Sequence, residues 1–554
     1  MVLSASHRRS IRNDDARAQV TRHLRWGALL VSAAWIAVIA LWREAPFALT
    51  FDDAYYYFGI SENLAGGAGS TFDGINPTNG YHPLWMLVSA PVFALGFDGI
   101  NAVRILLIGQ LIAWAISLVV LAGILSDSVE GWPRLPDQKY GTARNRATAT
   151  LAVVFVLVTG NPFVVKTFVN GLESGITVVL YMLLLLAVLR VDGDVISRTT
   201  RPLRWGIAVL LALLFLGRTD AVLVIACLGI WSLPQSIRGG RHALVRLLEV
   251  FALPCAVMVG YLASNAVLFG HPLQVSGLVK QASLTPARCL LASGVVAAAI
   301  VAGACTRRLR PHERSRLPRT VALLRASGWF ASFAILLVGY YTALTVQQWL
   351  WYFAPVVLMA IVLLLVCTAD LLEGAAVEGP ANNWRRAMAP IQALVVAPLL
   401  LLLALQVRTF TDDDTRSIQL ANEQAARWIN ASLPEDTVLA SWDAGVVGYF
   451  SNRPVVNLDG VVNSHAYTEA ITAGTRDELL RDEGVGFIVN HGRVVGGEDP
   501  DIEELVRTVF GDAAADGLEV VETFGFTYSG TTTRDRTAGP ETMAVFVYRL
   551  PDHW

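Results

Sequence analysis

Charge is what this sequence has least of. Of its 554 residues only 16% are Asp, Glu, Lys or Arg, against 54% hydrophobic. A soluble globular chain carries about 25% charged residues. Lysine is scarcer still: Lys139, Lys166 and Lys280 are three among 43 basic residues. Five cysteines occur, Cys227, Cys255, Cys289, Cys305 and Cys367, all in apolar runs and none with metal-ligand spacing. They are expected as small buried hydrophobes. Disorder, a disulfide scaffold and a collagen-like fibre are excluded by these figures. The Gly-rich stretch 66–80 lacks the Gly-Lys-Ser/Thr of a phosphate-binding P-loop.

What is present instead is a series of long apolar runs. Those at 26–42, 102–125, 148–165, 175–191, 205–216, 221–237, 247–268, 289–305, 327–344, 351–371 and 390–407 predict eleven membrane-spanning helices. The run 83–95 is short for a span and reads as a re-entrant or interfacial helix. Six Arg precede the first run, which predicts a cytoplasmic N-terminus. With eleven spans the inner segments hold 25 basic residues, whereas the outer segments and span ends before residue 408 hold about six. Loop 44–101 and the C-terminal tail then lie outside, and a twelfth span would invert this bias. Arg bias with abundant Ala and Val points to a GC-rich bacterial genome, hence a bacterial plasma membrane.

Charge also divides the chain. Residues 408–554 carry 11 basic and 25 acidic side chains, whereas residues 1–407 carry 32 and 20. An acidic tail is not built for nucleic acid. After an acidic linker at 411–414, helical spacing over 415–430 precedes strand-like stretches at 437–441, 454–458, 486–490, 518–524 and 543–550. A helical pattern at 476–482 lies between two of them, which predicts an α/β domain. The expected organisation is therefore a basic N-terminus (1–25), a membrane domain (26–407) with a large first outer loop, and an extracytoplasmic α/β domain (408–554).

The densest chemical signal is in that loop. It begins Phe51-Asp52-Asp53-Ala54-Tyr55-Tyr56-Tyr57 and ends Asn79-Gly80-Tyr81-His82-Pro83-Leu84-Trp85. A carboxylate at the membrane surface can take a proton from an acceptor hydroxyl while a lipid-borne donor stays in the bilayer. Asp52 or Asp53 could equally cap the following helix, and both roles can hold at once. His82 could serve a phosphate or begin a helix. Glu173, in Asn170-Gly171-Leu172-Glu173-Ser174, could be a second acid, a sugar ligand or a loop cap. Arg218 and Asp220 interrupt an apolar stretch, where ionisable groups are costly. They form either a functional pair or a bundle-stabilising one. Lys280 would stabilise a leaving phosphate or snorkel. In the tail, Asp443 and Asp459 follow strand-like runs and suit turn and cap duties.

These motifs resemble those of the GT-C superfamily of membrane glycosyltransferases. Its members include protein O-mannosyltransferases, the aminoarabinose transferase of lipid A and arabinofuranosyltransferases. Asp52-Asp53 is similar to the family's first-loop acidic pair, His82-Pro83-Leu84 to its His-Pro helix start, and Arg104 to an Arg opening the next span. Gly171-Leu172-Glu173 and Lys280 resemble elements of the arabinofuranosyltransferase-like branch. The pair is Asp-Asp where protein mannosyltransferases have Asp-Glu, and the run 271–280 departs from the arabinofuranosyltransferase pattern. The resemblance implies inverting sugar transfer from a polyprenyl phosphate to a cell-envelope glycan or lipid. Asp52 or Asp53 would be the base, and Lys280, Arg218, Arg104 and His82 would hold the donor phosphate. Glu173, Asp220, Tyr81 and Asn79 would contact acceptor or sugar. A divalent cation could join carboxylate and phosphate, although the sequence does not require one. The competing expectations are a transporter or flippase of a lipid-linked glycan and a non-catalytic glycan-binding scaffold. No internal repeat favours transport.

Overall fold

The computed structural model describes residues 5–128, 137–309, 317–346, 348–378, 396–407, 410, 414–495, 498–528 and 541–554. Residues 411–413 of the expected acidic linker and the start of the last expected span, 390–395, lie outside the described residues, whereas Asp414 begins a helix. Hydrocarbon offers the backbone no partners, so apolar runs close their hydrogen bonds internally as helices. Among the described residues six are long and apolar enough to cross a membrane: Ala18–Leu41, Gly99–Asp127, Thr219–Arg238, Gly240–Phe269, Pro286–Arg308 and Leu350–Glu373. Two bent pairs raise this to eight if each is one span: Asn145–Thr159 with Pro162–Phe168 (59°) and Pro318–Ala326 with Gly328–Leu344 (68°). The first bend falls at Pro162, where Asn161 caps the second half by accepting from Phe163 N at 2.9 Å. The protein is thus a multi-pass membrane protein.

Three of the eleven expected spans coincide with shorter helices. Ser174–Leu189 has 16 residues, Arg201–Gly217 has 17, and Val396–Val407 is shorter again. At 1.5 Å per residue a 16-residue helix reaches roughly 24 Å, less than the ~30 Å of hydrocarbon. The short apolar run forms the 12-residue helix Pro83–Ala94. It is pinned to the Asp52–Gly66 helix by Ser61 Oγ and Ser89 Oγ at 2.6 Å. One expectation fails for the cysteines: Cys227 is buried, but Cys255, Cys289 and Cys305 are exposed. An apolar side chain on a spanning helix has hydrocarbon as its solvent and needs no protein around it.

The tail carries a five-stranded sheet. Its strands are β1 (Val438–Ser441), β2 (Val455–Asn457), β3 (Val485–Arg493), β4 (Glu519–Tyr528) and β5 (Glu541–Arg549), in the order β2-β1-β3-β5-β4. β1 runs parallel to β2 and β3, whereas β5 runs antiparallel to β3 and β4. Each of the five strand-like stretches in the sequence falls on one of them. The two-residue period of a strand sorts the side chains into two cores. Leu439, Val455, Val489, Val545 and Val547 face the helix Asp414–Ser432 and the segment 44–101. Ala440, Val456, Ile488, Ala544, Phe546 and Tyr548 face a second core with Tyr467 and Phe510.

The first core joins tail and loop into one packed unit. Gln419 Nε2 donates to Thr50 O at 2.9 Å, and Tyr449 OH to Gly99 O at 2.9 Å. Tyr55 packs against Tyr449 and Phe450, each with ring centroids 5.7 Å away. This docking positions the site.

Candidate active site

The helix Asp52–Gly66 starts after Phe51, which supplies no side-chain cap, and stops at Gly67 in the left-handed region (φ 84°). Asp52 and Asp53 occupy its first turn, where carboxylates suit the positive end of the helix dipole. Successive helical residues point about 100° apart, and the pair divides accordingly. Asp52 turns to the tail, where its Oδ2 accepts from Gly445 N (2.8 Å) and its Oδ1 from Val446 N (2.9 Å). It therefore caps the tail helix Gly445–Phe450, not its own. Asp53 turns into a cavity of about 260 Å³.

That cavity is where distant parts of the sequence meet. Asp53, Tyr81, His82, Glu173, Arg218, Asp220 and Lys280 all line it, with Val461 and Val462 from the tail. Each of these membrane-domain residues lies at a helix end or in a connecting loop. Lys280 Nζ stands 3.6 Å from Asp53 Oδ2 and donates to Tyr352 OH at 3.1 Å. Asp53 keeps a third of its side-chain surface accessible.

Behind this pair lies a buried ionic network. Arg218 Nη1 donates to Glu173 Oε1, Nε and Nη2 to Asp220 (Nη2 at 2.7 Å), and Nη2 also to Tyr341 OH at 2.9 Å. Arg218 and Glu173 are 3% and 4% exposed. A guanidinium has five N–H donors, so these bonds leave one, on Nη1. Tyr57 OH donates to Glu173 Oε2 (3.1 Å) and accepts from His82 N (3.1 Å). Glu173 is aimed by the turn before it. Gly171 adopts φ 81°, Gln110 Oε1 accepts from Gly171 N at 2.9 Å, and Trp85 Nε1 donates to Gly171 O at 2.9 Å. Any Cβ at Gly171 would meet Ala54 Cβ at 2.7 Å.

The tail closes one wall. Gly80 lies so near Val461 that a Cβ there would strike the Val461 carbonyl, and a Cβ on Gly445 would strike the Asp52 carbonyl. Tyr56 OH accepts from Ala444 N (3.2 Å) and Asn457 Nδ2 (3.0 Å). Asp459 Oδ1 accepts from Val461 N at 2.9 Å, holding the loop that lines the cavity.

Burial raises the Asp53 carboxyl above its ordinary 3.8, and Lys280 opposes that rise. Asp52 is also raised, first by burial and then by Asp443, against the pull of its two backbone donors. Burial pushes Asp459 up to about 7. His82 is lowered by burial, which favours a neutral imidazole. Burial works against the Lys280 ammonium, but Asp53 and Tyr352 hold its pKa above the usual value.

Three of the candidate residues stand apart from the cavity. Asp52 is committed to the tail helix. Arg104 donates to Ala40 O (3.3 Å) and Arg43 O (3.0 Å), bracing the end of the first span. Asn79 bonds Leu273 O and Val275 N, tying the segment 44–101 to the one before Lys280. Conversely, sequence reasoning passed over Gln274, Tyr341 and Tyr352. Gln274 links Thr219, Tyr81 O and His82. The two tyrosines stack at 4.4 Å as polar intrusions in apolar runs, the one signal that marked them. Among the described residues no three His, Cys, Asp or Glu side chains gather as a metal cage.

A family model described as a domain of unknown function (DUF8728) matches residues 408–546. No curated protein matches the chain. Among solved structures the chain is similar to ArnT from Cupriavidus metallidurans in the apo state, with 13% identity and TM-score 0.42, over 92% of this chain and 98% of that one. It is similar to the same protein bound to undecaprenyl phosphate, with 12% identity and TM-score 0.44, over 93% and 97%. The oligosaccharyltransferase of Archaeoglobus fulgidus in complex with Zn and sulfate gives 12% identity and TM-score 0.45, over 91% and 72%. Likeness at this level assigns no activity, so the site has to carry the functional reading.

Proposed function

We propose that this chain is an inverting glycosyltransferase of the GT-C kind. It moves a sugar from a polyprenyl phosphate to a hydroxyl of a cell-envelope glycan or lipid. The N-terminus is cytoplasmic, eleven helices cross a bacterial plasma membrane, and the tail lies outside with the catalytic cavity. One observation carries the reading: a partly exposed carboxylate, Asp53, and a cation, Lys280, stand 3.6 Å apart in a cavity at the ends of the membrane helices. A base beside a cation is what displacement of a phosphate by a hydroxyl needs.

In this reading Asp53 takes the acceptor hydroxyl proton. The acceptor oxygen bonds to the anomeric carbon as the bond to the phosphate oxygen breaks, and the leaving phosphate carries away that electron pair. Lys280 sits where it can pass from Asp53 to the phosphate, and neutral His82 adds a hydrogen bond. Arg218 is mostly engaged by Glu173 and Asp220. Its part is to fix those acids for sugar or acceptor hydroxyls, with one N–H left over.

The test is a transfer assay with the full-length protein in membranes, using radiolabelled polyprenyl-phosphate sugars that include arabinofuranose and mannose. Wild type should pass label to a polymer or lipid, and Asp53→Asn should lose at least about 100-fold, the usual scale for a general base. Folded wild-type protein that transfers from no donor would move the reading to lipid-linked glycan transport.

A further inference from the structure

A second concavity lies far from the cavity, between the helices Val222–Arg238, Pro286–Arg308 and Gly328–Leu344. It measures about 650 Å³ and is lined almost wholly by apolar side chains. Only 11% of the apolar window of Pro286–Arg308 is buried inside the protein, so the groove opens sideways to lipid. Its one polar end is at Arg238 and Arg307, each in the last turn of its helix.

Among the described residues that end offers donors and no acids. Arg307 lies over the Trp231 ring at 4.1 Å and donates to the Trp231 carbonyl. Among the described residues another cation, Arg238, acts on Arg307. Neither Arg has a carboxylate partner among the described residues. Trp329, near the start of Gly328–Leu344, also lines the groove. It is 1% exposed, and its indole N–H has no acceptor. An unpaired buried donor costs free energy, and two adjacent guanidinium groups repel each other. A phosphodiester would relieve both, with its chains in the apolar groove.

We propose that this groove binds an anionic glycerophospholipid from the leaflet on the Arg-rich side of the membrane. A bulk phospholipid fits better than a polyprenyl phosphate. Lys280 and the Arg218–Asp220 pair stand at the opposite ends of these three helices, and the cytoplasmic leaflet is where anionic phospholipids attract Arg.

Native mass spectrometry of the full-length protein in detergent tests it. The probes are palmitoyl-oleoyl phosphatidylglycerol, phosphatidylcholine with the same chains, and undecaprenyl phosphate. Wild type should retain phosphatidylglycerol at least tenfold over phosphatidylcholine. Arg238→Gln with Arg307→Gln should bring the two to the same level. Trp329→Phe, which removes only the indole N–H donor, should lower phosphatidylglycerol retention several-fold. Arg238→Gln alone touches an exposed helix end, should fold normally, and should also lower it. Equal retention of the two phospholipids by wild type would overturn the proposal. So would phosphatidylglycerol retention unchanged in folded Arg238→Gln, or its displacement by undecaprenyl phosphate with the same Arg dependence.

Discussion

The Asp52 carboxylate, at the start of the helix Asp52–Gly66, caps a helix almost four hundred residues further on: it accepts from Gly445 N at 2.8 Å and from Val446 N at 2.9 Å. Removing an N-cap acceptor typically costs about 0.5–2 kcal/mol. Asp52→Ala should therefore lower the melting temperature and open the tail to limited proteolysis, with transfer falling only in proportion to lost docking. Asp53→Asn should show the opposite pattern, with normal melting and no transfer. If Asp53→Asn loosened the tail and Asp52→Ala did not, the division of labour between the neighbours would be wrong.

Gly80 is the tightest point between loop and tail. Its missing Cβ leaves room for the Val461 carbonyl, which belongs to the cavity wall. Gly80→Ala should cost about 1–3 kcal/mol, as overpacking does, and should raise the apparent KM for acceptor because the wall moves. Gly66→Ala, in open space on the same loop, is the control and should behave as wild type.

Arg218 and Lys280 should separate stability from chemistry. Arg218 balances two carboxylates and is 3% exposed. Breaking such a pair by removing one partner costs about 3–5 kcal/mol, so Arg218→Met should express poorly and melt early. Lys280 is 21% exposed and faces the cavity. Lys280→Met should still fold, melting somewhat lower at neutral pH because Asp53 loses its partner, while transfer falls at least tenfold.

Much of this was legible in the sequence, for physical reasons. The strands announced themselves because Leu439, Val455, Ile488 and Val547 belong to runs of β-branched and aliphatic residues bounded by turn formers. The Asp-Asp-Ala-Tyr-Tyr-Tyr motif stood out because Asp52 and Asp53 are the only adjacent acids between residues 26 and 407. What the sequence withheld was direction and convergence. Nothing local says that Asp52 faces Gly445 while Asp53 faces Lys280, since that depends on where one helix begins. Nor does spacing reveal that Glu173, Arg218 and Val461 meet, because only the packed bundle and the docked tail bring them together. For a helix as short as Ser174–Leu189, length alone does not decide whether it crosses.

Asp459 gives a stability prediction with a definite sign. Its folded-state value is about 7 against an ordinary 3.8, so between those values the folded protein binds more protons than the unfolded chain. Stability must then fall as pH rises from about 4 to 7 and stay low above, each unit being worth about 1.4 kcal/mol at most. Asp459→Asn keeps an acceptor for Val461 N without the charge. It should raise the melting temperature at pH 8 and change little at pH 4. A variant that melts lower at pH 8 would mean that the ionised carboxylate is favourable there.

The last prediction joins Lys280 to Asp53 through pH. A base must be ionised to accept a proton, so transfer should fall as pH drops through the Asp53 value, which burial sets above 3.8. Lys280 is the group that holds that value down. Lys280→Met removes the restraint, and the acid limb of the kcat/KM profile should move to higher pH, beyond the overall loss of rate. Adding salt should not mimic the shift, because a partly buried pair is screened far less than an exposed one. A variant that is slower at every pH, with its acid limb unmoved, would show that Lys280 acts on the phosphate alone and that the 3.6 Å contact is not felt by the base. The same linkage fixes the effect on folding. Raising the Asp53 value further makes its ionised form more costly in the folded state, so Lys280→Met should lose stability above that value and recover it as the pH falls below.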